Sequence, residues 1–112
     1  MYMLFYLLLA IIGGTCIGLQ AGINGVLGKR IGVIEASFVS FFIGTIILLL
    51  LVIFAGKGDL LKVTNVSKWQ LLGGVLGVAY VSIMVAIVPK IGVASAITAV
   101  IVGQLFISVA LD

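Results

Sequence analysis

The chain has no histidine, one cysteine (Cys16), one proline (Pro89) and three acidic residues, Glu35, Asp59 and Asp112, in 112 positions. Each shortage removes a class of chemistry. One thiol and no imidazole exclude a disulfide within the chain, a CxxC pair and a zinc-ligand set. Three carboxylates without a histidine leave little material for acid–base or nucleophilic catalysis. The sequence therefore reads as a non-enzyme that needs no cofactor and no metal. Charge is scarce altogether: 8% of residues carry it, where a soluble domain has about 25%. Such a chain cannot coat a water-facing surface, and its high hydrophobicity excludes disorder. The formal net charge is +3, but the six Lys and Arg stand singly or in pairs beside apolar runs. There is no basic stripe for nucleic acid.

What the sequence has is apolar length. Hydrophobic residues make up 64% of it, at a mean hydropathy of +1.52. Four runs stand out, at about 2–27, 31–55, 69–88 and 91–111, each bounded by charge or a helix breaker. Each is long enough for a helix to cross ~30 Å of hydrocarbon. None alternates apolar with polar residues as a barrel strand would. The expected fold is an all-α polytopic membrane protein, with four transmembrane helices arranged as two sequential helix hairpins in one domain. Lys29-Arg30 and Pro89-Lys90 are the short connections, and Pro89 should stop the third helix near Val88. Residues 56–68 form the one real loop, expected along the interface with Trp69 as an anchor. The first run lacks a Lys/Arg n-region and is too long for the core of a signal peptide.

Shifted by sixty residues, the chain partly matches itself. Gly13-Gly14 falls on Gly73-Gly74, Arg30-Ile31-Gly32-Val33 on Lys90-Ile91-Gly92-Val93, and Ala36 on Ala96. Either membrane-helix composition accounts for this or a hairpin is used twice. Two such hairpins run the same way through the membrane, so any inverted partner has to be a second chain. Lys57, Lys62 and Lys68 lie on one side of the four spans, and Lys29, Arg30 and Lys90 on the other. That balance gives no positive-inside bias. It suits insertion in both orientations and an antiparallel dimer, unless another feature fixes orientation.

Small and polar residues inside the spans carry the remaining signal. Gly14, Gly18 and Gly22 form a stripe on the first helix, Gly73 and Gly77 a shorter one on the third, and Ser95, Ala99 and Gly103 another on the fourth. Such stripes let helices approach closely in lipid; a thin wall beside a ligand is the alternative. Gln20 and Asn24 share one face of the first helix. Unpaired amides are costly in hydrocarbon, so they should face the bundle interior or a wet cavity. Ser37, Ser40 and Thr45, Tyr80 and Ser82, and Thr98, Gln104 and Ser108 add polar groups from the other helices. These groups are either hydrogen-bonding glue or the lining of a substrate cavity walled by Phe38, Phe41, Phe42 and Tyr80. Glu35 lies near the start of the second helix. An interfacial cap at the positive helix end is one reading, and proton coupling is the other.

The run Gly18-Leu19-Gln20-Ala21-Gly22-Ile23-Asn24-Gly25-Val26-Leu27-Gly28 resembles the first-helix signature of the YdcZ-like family of the drug/metabolite transporter superfamily. Ala36-Ser37-Phe38-Val39-Ser40-Phe41-Phe42-Ile43-Gly44-Thr45 is similar to its second helix, and Gly103-Gln104 followed by Asp112 to its fourth-helix end. The resemblance implies a multi-pass protein of the bacterial inner membrane that exports a small molecule by alternating access. It also implies half of a ten-helix transporter, paired with a second copy or a paralogous chain, in an antiparallel dimer or a fusion. The family's Gln and Asn correspond to Gln20 and Asn24, and its Ser-Phe pair to Ser40 and Phe41. Family members usually continue into a fifth helix, so a chain ending at Asp112 looks truncated. The substrate-site candidates are thus Gln20, Asn24, Ser40, Phe41, Tyr80 and Gln104. The rival readings are a dual-topology ion channel, with a polar file through Gln20, Asn24, Ser40 and Thr98, and a non-transporting assembly subunit.

Overall fold

The computed structural model describes residues 2–112. Four helices are long and apolar enough to cross a membrane: α1 (Tyr2–Ile31), α2 (Val33–Ala55), α3 (Gly73–Ile91) and α4 (Val93–Leu111). Two 3-10 turns, Leu60–Asn65 and Lys68–Leu71, occupy the connection between α2 and α3. The Asp59 carboxylate caps the first of them, accepting from Leu61 N at 3.1 Å. Trp69 lies in the second and is exposed.

The hairpin joints fall later than the charges and the proline suggest. α1 runs on through Lys29 and Arg30, which are good helix formers and suit the negative helix C-terminus. It ends at Gly32, whose φ of 110° and ψ of 156° belong to glycine. The Gly32 amide donates to Gly28 O at 2.9 Å and closes α1, while its carbonyl accepts from Ala36 N at 2.9 Å and opens α2. Gly92, at φ 88°, repeats both roles, donating to Val88 O at 2.8 Å and accepting from Ala96 N at 3.2 Å. Pro89 therefore lies inside α3, which continues to Ile91 rather than stopping near Val88. Proline removes one donor and disfavours helical geometry in the residue before it. Here Val88 is held in the helix by packing: it is buried in the core with Ala21, Met84 and Ala96.

Burial follows the same sixty-residue shift. The buried residues of α1 are Ala21, Asn24, Gly25 and Gly28; those of α3 are Val81, Met84, Val85 and Val88. Ala36 of α2 and Ala96 of α4 are both 0% exposed. α1 and α3 cross at the centre, with Gly25 against Val88 and Gly28 against Val85, two contacts that exchange under the shift. α2 and α4 flank this pair and, among the described residues, do not pack on each other. Two small cores result, one around Ala21, Met84, Val88 and Ala96, the other around Ala36, Val81 and Val85. A parallel helix–glycine–helix unit used twice accounts for all of these pairings.

Away from the crossing the helices diverge. Residues 2–17 of α1, 45–55 of α2 and 101–111 of α4 are exposed along their whole length. Their Leu, Ile and Phe side chains suit lipid tails, which leave no hydrophobic drive to close the bundle.

At the crossing, a methyl group on Gly28 would collide with Val85 Cγ1, and Val85 is 1% exposed with nowhere to move. Gly28→Ala should therefore destabilise the folded chain by about 1–3 kcal/mol, the usual cost of overpacking a core. Adding Val85→Ala should restore much of the loss, read as unfolding in mixed micelles. Gly32→Ala and Gly92→Ala should each cost about 1–3 kcal/mol through backbone strain; truncating Glu35, whose carboxylate overlies Gly32, should relieve the overlap there but not the strain.

Candidate substrate site

Gln20 and Asn24 lie one turn apart on α1, and Ser40 faces them from α2 because the Gly32 joint folds the two helices into a V. At about 1.5 Å per residue, Gln20 is roughly 18 Å and Asn24 roughly 12 Å along α1 from that joint. Both depths are near the middle of ~30 Å of hydrocarbon. The V encloses a cleft of about 420 Å³ lined by Cys16, Leu19, Gln20, Ile23, Asn24, Leu27, Val39, Ser40 and Ile43. Its walls are aliphatic apart from two amides, a hydroxyl and a thiol. No ionisable carboxylate, ammonium or guanidinium lines it. Asn24 is 6% exposed, whereas Gln20 is exposed toward the open side. Within the described residues, neither amide takes part in a side-chain hydrogen bond.

The same two amides also line a crevice with Tyr80 of α3. With Ile17, Ala21, Val81, Met84 and Val85, these three surround about 10 Å³. That is room for one water at most. The Tyr80 hydroxyl is buried there with no hydrogen-bond partner. A buried hydroxyl left unpaired costs about 1–3 kcal/mol, so this orphan needs a reason.

The remaining candidates lie elsewhere. Phe41 turns to the other side of α2, where it lines a separate cleft of about 260 Å³ with Ile34, Ser37, Phe38, Val78 and Ser82. Ser82 donates to Ser37 Oγ at 3.3 Å across this second cleft, and Ser37 donates to Val33 O at 3.0 Å. Gln104 is exposed on the diverging half of α4, away from both clefts. Glu35 is exposed at the α1–α2 joint, its carboxylate folded over Gly32, and within the described residues it makes no capping hydrogen bond. Thr98, placed in the polar file by the channel reading, is exposed on α4 and donates to Ala94 O at 2.7 Å.

The glycine stripes divide similarly. A methyl group on Gly22 would lie 3.6 Å from Val93 of α4 and one on Gly77 3.6 Å from Phe41, while one on Gly14, Gly18, Gly73 or Gly103 would meet nothing within 4 Å. Close approach inside the chain falls on Gly25 and Gly28 instead. Four-residue spacing drew attention to the stripes and away from this pair, which are three apart. The signal for it was the repeat register, which sets them opposite Val85 and Val88. The Ser37–Ser82 bond had no such signal, because it joins residues on different units that the shift does not pair.

The four spans, the repeated unit and the two-amide face bear on kinship. A family model described as "Putative inner membrane exporter, YdcZ" matches residues 5–112. This chain belongs to the YdcZ family. No curated protein and no solved structure matches it. The YdcZ match takes in both helix–glycine–helix units, so the Gln20–Asn24 face and the Tyr80 crevice both lie within the family's shared region.

Proposed function

We propose that this chain is one half of a small-molecule exporter of the bacterial inner membrane, working by alternating access as an antiparallel pair. The observation that carries the reading is the cleft. Gln20, Asn24 and Ser40 converge at mid-membrane depth on about 420 Å³ that α1 and α2 leave open on one side. Polar groups at that depth are expensive unless they serve a substrate or a partner. The two units within the chain run the same way, so an inverted mate, such as transporters of this kind use, comes from a second chain. Such a mate closes the open side. The narrow α1–α3 crossing is the pivot, with the diverging arms free to rock about it.

In this reading Gln20, Asn24 and Ser40 hydrogen-bond the substrate, and Tyr80 backs the site through the crevice. Phe41 and Gln104 lie outside the cleft, and Glu35 sits in the first turn of α2 at the interface. Everted vesicles carrying the protein, screened with labelled small molecules, should accumulate a substrate. Asn24→Ala should slow that flux by about tenfold or more, the worth of one good hydrogen bond, at unchanged membrane abundance. Unchanged flux would remove Asn24 from the site. For the pairing, a single cysteine at Gly58 in a Cys16→Ala background should react with an impermeant maleimide from both sides of the membrane. Labelling from one side alone would leave an antiparallel pair of identical chains without support.

A further inference from the structure

We infer that the cleft selects an uncharged molecule bearing a hydrogen-bonding polar group, and that the orphaned Tyr80 hydroxyl is the innermost partner of that group. The inference rests on the transport reading for its purpose but stands on separate observations. Electrostatics is the first. The residues lining the cleft and the crevice offer amides, hydroxyls and a thiol, with no charged side chain among them. The nine charged residues fall in the joints, the connecting loop and the C-terminus. An ion moved to that depth would meet no countercharge, and a second copy of the chain would bring none. Stripping an ion of water without an opposing charge costs several kcal/mol, which amide dipoles alone do not repay.

The second observation is the orphan. Gln20 and Asn24 line both the open cleft and the crevice, so their side chains form the boundary between the two. Behind it the Tyr80 hydroxyl is buried and unpaired. With about 10 Å³ available, the crevice is closed to anything larger than a water in this arrangement. A small displacement of α1 against α3 joins crevice to cleft and brings the phenol within reach of a bound polar group. The energy recovered on pairing that hydroxyl then favours the displaced arrangement only when such a group is present. Coupling occupancy to helix movement in this way is what alternating access requires.

Three probes of one shape separate the cases: benzamide, benzamidine and benzoate are neutral, cationic and anionic at pH 7. Binding is measured by saturation-transfer NMR on the full chain in phosphatidylcholine nanodiscs, with empty nanodiscs subtracted. Benzamide should bind, and each ion should bind at least about tenfold more weakly. Tyr80→Phe should weaken benzamide by about three- to tenfold, one neutral hydrogen bond. Gln20→Leu, at an exposed position that tolerates change, should weaken it to a similar degree should Tyr80→Phe fail to fold. An ion bound as tightly as benzamide, no benzamide binding at all, or full affinity in both variants would overturn the inference. Benzamide that binds with this selectivity yet enters proteoliposomes no faster than protein-free liposomes would uphold the site and count against the transport reading.

Discussion

The structure depends on the crossing of α1 and α3 at Gly25 and Gly28. Lipid provides no hydrophobic drive between helices, so association has to come from close packing and the few polar contacts available. Two glycines on α1 accept Val88 and Val85 of α3 into the space a side chain would fill. That contact sets the spacing at which Ala21 and Ala36 become core residues. It also holds Val88 helical despite Pro89. The flanking helices depend on it in turn, because α2 and α4 each pack on the central pair and not on one another. The glycine joints at Gly32 and Gly92 then aim α2 and α4 away from the crossing, which opens the V-shaped cleft.

On a scaffold used twice, the positions where the two units differ in chemistry are informative. Asn24 occupies the place that Met84 takes in the second unit, and Gln20 the place of Tyr80. Met84 is a core residue, 3% exposed. Putting an amide in the matching position weakens the first unit's core, since an unpaired amide in an apolar setting costs more than the packing it provides. Fold stability does not ask for that exchange. The two buried polar residues, Asn24 and Ser37, both belong to the first unit.

The sparse charge of the chain is confined to two levels. Both joints carry basic residues, Lys29 and Arg30 at one and Lys90 at the other, and the connecting loop carries Lys57, Lys62 and Lys68. Between these two charged levels the spans hold only neutral groups.

The sequence by itself determined the number of spans, the helical class, the repeat and the two-amide face. Those properties follow from composition and from periodicity along one chain. Residue order alone also placed Gln20 and Asn24 together, because neighbours one turn apart share a face in any helix. Tertiary structure alone decided the rest. The helix ends moved from the charged pair and the proline to Gly32 and Gly92, because a positive φ terminates a helix whereas a charge does not. Ser40 and Phe41, adjacent in sequence, went to different clefts because consecutive residues on a helix point about 100° apart. The working glycines proved to be Gly25 and Gly28, and the Tyr80 hydroxyl proved to be unpaired. Both outcomes depend on which faces meet at the crossing, and that is a property of two helices together which neither helix carries alone.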